Sequence, residues 1–352
     1  MLRLIKTECL LEGAEVGENI YGVNGNLLVS QGTQLTENQI AHLLNMGVLE
    51  VPVAANRLKD LVEPALVRLP AKNRAFAALT TLFNSLQNGN PEANLAELQE
   101  AAQEIVLDIQ ELQPRFLNFP YPQGSGHYLV IHALYTGILA AGLGFLAGFK
   151  EHLLDITLGS LLSDTGLMLL SKSILDKPGP LDEAEQAMVK QHPGAAVHLL
   201  GSTSAYVKAI VYQHHERADG SGYPKSLGSK EIHPYASLVG LADIYVAMLA
   251  NRPYRAALLP HSILEMIMSM SGWEFDHALI QHFTRVIPPY PVGTFVHLST
   301  GEKGAVVALT DAFCRPTVRI LNDTTGAEVE PHDVVLAERE NQTILIDEIL
   351  LD

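Results

Sequence analysis

The period of the apolar positions changes along the chain. Near the start, "ENIYGVNGNLLVS" has short apolar runs on either side of Asn24-Gly25, which predicts a β-hairpin turned at that dipeptide. "LTENQIAHLLNMGV" switches to a three-to-four spacing; Thr36 with Gln39 three residues on predicts a capping box, and Gly47 a helix stop. "VLEVPV" then returns to a strand-like run. From Lys59 to Gln113 the spacing is helical, broken around "NGNP". Within it Leu95, Leu98, Ala102, Ile105, Ile109 and Leu112 form a heptad-like seam, open to two uses: pairing with a second copy, or packing onto the chain's own body. "QPRFLNFPYPQGSG" interrupts the pattern, and from His127 to about Val286 helical spacing is dense. Asp182 with Glu185 predicts another capped helix, with Pro193 following its end. After "VIPPYPVG", the segments "TFVHLSTGEKGAVVALTD", "PTVRILNDTTGAEVE" and "QTILIDEIL" predict short strands joined by Gly and Asp turns. The expected fold class is mainly α. A small α+β domain over 1–56 leads into a helical linker or bundle over 57–120. An all-helical core domain over 121–286 and a β-rich appendage over 287–352 follow.

One run changes that picture if it is misread. Leu129 to Phe149 contains no Asp, Glu, Lys or Arg and reaches the length of a membrane-spanning helix. His132 breaks it and neither flank carries a cluster of basic residues, so the expectation is no membrane span but a buried core helix, followed by a Gly-rich turn near Gly142 and Gly144. The N-terminal "MLRLIKTECLLEG" has no long apolar core and is interrupted by Glu8, unlike a signal peptide.

Composition narrows the partners. With 47% hydrophobic and 18% charged residues, the chain of 352 residues is globular and large enough for two or three domains. A formal net charge of −16 argues against a nucleic-acid polymer or an anionic membrane surface as partner, while leaving room for a local metal-filled or basic pocket. Cys9 and Cys314 are far apart and form no CxxC pattern, so a cytoplasmic location is expected.

The chemistry concentrates in the core domain: His127, Asp164, His192, His214, His215 and Asp243. Imidazole and carboxylate suit first-row divalent metals, and one Asp can bridge two ions that clamp a phosphate between them. Adjacent helical side chains diverge by roughly 100°, so His214 and His215 can serve neighbouring positions around one cavity. Glu216 and Asp219 are candidate orienters of those imidazoles. Gly220, Gly222 and Pro224 predict a tight loop. His132 and His198 read as ordinary core histidines, and His42, His152, His261, His277, His282, His297 and His332 as surface or loop residues.

"HHERADGSGYP", from His214 to Pro224, resembles the signature of the HD-GYP family, cyclic-di-GMP phosphodiesterases within the HD metal-hydrolase superfamily. "ILDKPGPLDEAEQAMVKQHPGAAVHLL" resembles the stretch holding the family's next metal histidine, here His192. "LADIYVAMLANRPYR" resembles the segment with its distal metal aspartate, here Asp243, followed by a phosphate-contacting arginine, here Arg252. "GWEFDHALIQHF" resembles the family's helix near the domain end. The resemblance is strong over Gly126 to Val286 and loose beyond.

It implies an all-helical HD-GYP core holding one or two divalent ions, Fe or Mn, on His127, Asp164, His192, His214, His215 and Asp243, with Asp164 bridging and catalytic. Cyclic-di-GMP is the implied substrate, contacted by Arg252, Gly222, Tyr223 and Pro224. A GGDEF-domain protein and a second copy of the chain are candidate partners. The family's namesake His-Asp lies in a pattern like "LLHDIGK", whereas this chain has "LLSDTGLMLL": Ser163 replaces the histidine and Leu167 a lysine. The family's first histidine best matches His127, although spacing also allows His132, and Val246 stands where an acidic residue is common. The expectation is therefore a degenerate site with one metal position weakened. Hydrolysis to pGpG or GMP would be slow or absent, and a non-catalytic role binding the dinucleotide or a GGDEF partner is the alternative.

Overall fold

The computed structural model describes residues 2–7, 10, 12–17, 20–21, 27–46, 48, 50–54, 66–90, 95–118, 128–175, 177, 179–250, 257–312 and 314–350. At the N-terminal end β1 (Leu2–Lys6) pairs antiparallel with β4 (Glu50–Ala54), and β2 (Ile20–Tyr21) with β3 (Leu27–Val29). The residues expected to turn the hairpin, 22–26, lie outside the described ones. Helix α1 (Glu37–Asn45) starts at the expected capping box: the Gln39 amide donates to Thr36 Oγ1 and the Thr36 amide to Gln39 Oε1. Val16, Ile20, Leu35, Leu43 and Val51 make a small core of their own.

The helical body comprises α2 (Leu69–Gln87), α3 (Ala96–Leu112), α4 (Tyr128–Leu146), α5 (Leu153–Leu162), α6 (Lys172–Leu175), α7 (Glu183–Val189), α8 (His192–Leu199), α9 (Ala205–Gln213), α10 (Pro234–Leu249), α11 (Pro260–Ser269) and α12 (His277–Val286). A single apolar core runs through them from Leu66 to Ile287. The seam on α3 belongs to it: Leu98, Ala102, Ile105 and Ile109 are buried inside the chain's own body. Buried residues of α2 and α3 lie in the same apolar core as those of α4 to α12.

Helix α4 is the axis, packed by α2, α3, α5, α10 and α12. It is apolar on every side because every side is covered. Its length and hydropathy suffice to cross a membrane, yet 83% of that window is buried in the body. The turn expected near Gly142 and Gly144 is corrected: both glycines lie within the helix, and the reversal comes at Gly148, where φ is +84°. Asp182 and Glu185 form the second capping box, at the start of α7. Pro193 follows the end of that helix, as expected, and sits in the first turn of α8, where its missing N–H costs nothing.

Beyond α12, the strands β5 (Phe295–Leu298), β6 (Lys303–Ala308), β7 (Thr317–Asn322), β8 (Glu328–Val335) and β9 (Ile346–Ile349) form an antiparallel sheet in the order β8-β7-β6-β5-β9. It has a separate core of Val296, Leu298, Ala305, Val306, Val318, Ile320 and Leu336. Asn118 Oδ1 accepts the Val292 amide at 2.7 Å, tying the connection into this sheet to the segment after α3.

Candidate metal centre

Five segments converge at the middle of the helical body. His132 comes from the first half of α4, Asp164 from the end of α5, His192 from the start of α8, His214 and His215 from the end of α9, and Asp243 from the middle of α10. Local sequence explains several of these placements. The α5 run "LLDITLGSLL" is buried almost throughout and ends by turning into a 3-10 segment, Thr165–Leu169, with Asp164 at the junction. Gly166 lets that segment lie on the backbone of α8: a Cβ there would stand 2.0 Å from the His192 carbonyl oxygen. Gly240 does the same for α10 against α9, where a Cβ would stand 2.3 Å from the His214 carbonyl oxygen.

Two of the imidazoles are oriented by backbone carbonyls one turn back in the chain. His192 Nδ1 lies 2.7 Å from the Val189 carbonyl and His214 Nδ1 2.9 Å from the Val211 carbonyl, each three residues back. A carbonyl can only accept, so each Nδ1 carries the proton and each Nε2 is a bare lone pair. Both Nε2 atoms are buried without a hydrogen-bond partner and face Asp164 Oδ1, at 3.4 Å from His192 and 3.9 Å from His214. Two ligands each about 2.1 Å from a divalent ion lie roughly 3–3.5 Å apart. Orphaned buried acceptors are costly, and a cation is what this pair of lone pairs fits.

Two donor groups result, each with ligand atoms within 4.8 Å of one another: Asp164, His192, His214 and His215; and His132, Asp164 and Asp243. Asp164 belongs to both and is the natural bridge. His132 Nε2 lies 2.6 Å from Asp243 Oδ1 and 3.5 Å from Asp164 Oδ2, and His215 Nδ1 lies 4.0 Å from Asp243 Oδ2. Nitrogen and carboxylate donors of this kind suit Fe, Mn or Zn.

Burial sets the protonation states. It lowers His192 to about 4 and His214 to about 4, the latter helped by the neighbouring His192, and it holds His215 well below the ordinary imidazole value. Asp243 is pulled below the ordinary carboxylate range: burial alone would raise it, and the hydrogen bond and charge of His132, with His215 and His214, outweigh that. Neutral imidazoles at 192, 214 and 215 and an ionised Asp243 are in the form that binds a metal.

His132, read in the sequence as an ordinary core histidine but also allowed by spacing as the family's first histidine, lies in the second donor group. The signal was present: it is the one basic side chain in a 19-residue helix otherwise built of apolar and small residues and tyrosines, where an unpartnered imidazole would be costly. Tyr128, four residues earlier, stacks on its ring at 5.7 Å. His127 and Arg252 lie outside the described residues. His198, also read as core, is exposed. Asp164, His192, His214, His215 and Asp243 are all brought together.

The two proposed orienters do something else. Glu216 is buried and its carboxylate accepts the backbone amides of Lys225 at 2.7 Å and Leu227 at 2.9 Å, so it clamps the loop shut rather than an imidazole. Asp219 accepts the amide and hydroxyl of Ser221 within the same loop. The clamped loop carries Gly222, Tyr223 and Pro224, with a cis peptide between the last two. Tyr223 is laid against His215, ring centroids 4.6 Å apart, with an edge toward His192 at 6.3 Å. Sequence reasoning passed over Arg217. Its guanidinium donates to the His214 and Glu216 carbonyls, bracing the backbone of the histidine pair, and it stacks on Phe275.

Ser163 and Leu167 are placed as their chemistry suggests. Ser163 Oγ donates to the Ser160 carbonyl at 2.8 Å, so the hydroxyl is spent on its own helix. Leu167 packs against the helical core.

Residues 146–279 match the HD domain family. The chain is 28% identical over 278 residues to a cyclic di-GMP phosphodiesterase of Pseudomonas aeruginosa, covering 77% of this chain and 66% of the relative. It is 32% identical over 166 residues to the cyclic di-GMP phosphodiesterase response regulator RpfG of Xanthomonas campestris, covering 46% and 43%. It is 35% identical over 139 residues to a 3'3'-cGAMP-specific phosphodiesterase of Vibrio cholerae, covering 39% and 29%. The chain therefore spans from under a third to about two thirds of these relatives' own lengths.

Proposed function

We propose that this chain is a metal-dependent hydrolase of cyclic-di-GMP of the HD-GYP type, with turnover slowed by the residues at 163 and 167. The observation that carries the reading is the pair of donor groups sharing Asp164, with the Nε2 lone pairs of His192 and His214 aimed inward. When bound there, divalent ions would supply a Lewis acid for a phosphoryl oxygen and lower the pKa of a water. His192, His214 and His215 with Asp164 would hold one ion, and His132 and Asp243 with the same Asp164 the other. Tyr223 gives the cavity an aromatic wall against which a purine can stack. Names of relatives that act on cyclic dinucleotides support the substrate class.

His132 gives the second group three protein ligands, a set comparable to catalytic metal sites that keep an open position. That is the ligand count expected for the weakened position with His127 in place of His132, and it is enough to support turnover. A binding role without turnover is the second reading, favoured by the Ser163 hydroxyl being engaged with Ser160 rather than turned to the cavity. Purified chain should be assayed for metal content and for conversion of cyclic-di-GMP to pGpG and GMP with added manganese or ferrous iron. Metal with slow turnover is expected. Metal with binding but no turnover would favour the second reading, and neither metal nor dinucleotide binding would sink both.

A further inference from the structure

We propose that Lys190 receives a phosphate of the substrate beside the metal centre, supplying from the end of α7 the positive charge that Leu167 does not supply from the 3-10 segment. The inference rests on the phosphodiester reading above and adds a specific binding residue to it.

Lys190 closes α7 and lies two residues before His192, so its backbone is fixed next to a metal-site imidazole. Its side chain is exposed and its ammonium lies 5.8 Å from the centroid of the Tyr223 ring. Tyr223 stacks in turn on His215. The ammonium therefore lies beside the same ring that meets the ligand cluster. Among the described residues Lys190 makes no ion pair, whereas nearby cations are engaged. Lys177 is bound to Glu185, and Arg217 is held by the His214 and Glu216 carbonyls and lies 3.5 Å from Glu274.

The electrostatics call for such a charge. Asp164 and Asp243 place two carboxylates in the metal centre, and the whole chain carries −16. An anionic diester approaching this surface meets repulsion that a local cation relieves. A lysine is well matched to this contact, because its ammonium is a compact point charge on a flexible stem and can follow a phosphate without demanding one bidentate geometry. Its contribution should screen with salt, because it sits in solvent.

The test is calorimetric titration of the full chain with cyclic-di-GMP, after chelation and again with manganese, at two salt concentrations. Lys190→Ala should weaken binding about tenfold at low salt and less at high salt, whereas Lys190→Arg should stay within about threefold of the parent. With manganese, the turnover loss in Lys190→Ala should appear in KM more than in kcat. Because the side chain is exposed, all three proteins should melt together, which separates binding from folding. Equal affinities for the parent and Lys190→Ala would overturn the assignment while leaving the phosphodiester reading intact. Failure of the parent itself to bind cyclic-di-GMP would overturn that reading, and the role of Lys190 with it.

Discussion

His132 Nε2 meets Asp243 Oδ1 at 2.6 Å across the contact of α4 with α10, joining two residues 111 positions apart in the chain. Both are buried. Removing one member of such a pair strands the other, at a cost of about 3–5 kcal/mol in the metal-free protein. His132→Gln should therefore lower both the melting temperature and the metal content, with up to one ion lost per chain. His127→Gln should retain metal. Elemental analysis of the two variants beside the parent decides between the two histidines, and loss of metal from His127→Gln alone would reverse the assignment.

The buried imidazoles make the metal-free protein acid-sensitive. His192 and His214 titrate at about 4 when folded and near 6.5 when exposed, because burial disfavours their charged forms. Between those values the unfolded chain binds protons that the folded chain refuses. Stability therefore falls as pH drops from about 6.5 toward 4 and levels off below, by on the order of 3 kcal/mol per histidine. Thermal melts of chelator-treated protein from pH 7.5 to 4.5 should show a steady fall over that window, and a flat profile would contradict it.

What was legible along the chain was what is local. The capping boxes at Thr36 and Asp182 depend on residues three apart, and both formed. The C-terminal strands announced themselves by short apolar runs between turn residues. β1 did not stand out, because its pairing with β4 joins segments about fifty residues apart. His132 was left undecided against His127 for the same reason: on its own helix it is a polar break in an apolar run, and only the approach of α10 supplies Asp243. Glu216 looked like an imidazole orienter because it follows the histidine pair. The loop closes back on it, and the amides of Lys225 and Leu227 take its carboxylate instead.

Gly240 sets how closely α10 can approach the histidine pair, since a Cβ there would stand 2.3 Å from the His214 carbonyl. That neighbour is backbone and cannot rotate away. Gly240→Ala should force α9 and α10 apart, lowering stability by about 1–3 kcal/mol and reducing metal content through the displaced His214 and Asp243. Chemical denaturation together with metal analysis checks both. A variant as stable and as metal-rich as the parent would mean that the helices yield without disturbing the site.

Ser163→His with Leu167→Lys tests whether these two positions limit turnover. The Ser163 hydroxyl is bound to the Ser160 carbonyl, so replacing it removes a local helix bond worth about 1 kcal/mol and adds an imidazole beside Asp164. A fourth ligand for the group of His132, Asp164 and Asp243 should raise metal retention during dialysis. Leu167 packs on the core, so a lysine there loses some burial, but it can extend its stem along the same surface and carry the ammonium to solvent. A cation there would stabilise developing phosphoryl charge, for which one well-placed group is worth roughly 10²–10³ in kcat. The double variant should therefore melt slightly lower, hold metal more tightly and turn over cyclic-di-GMP at least tenfold faster than the parent. Tighter metal without faster turnover would place the limit at the 3-10 segment's geometry rather than at its side chains. No change in either would remove Ser163 and Leu167 as the cause of slow hydrolysis.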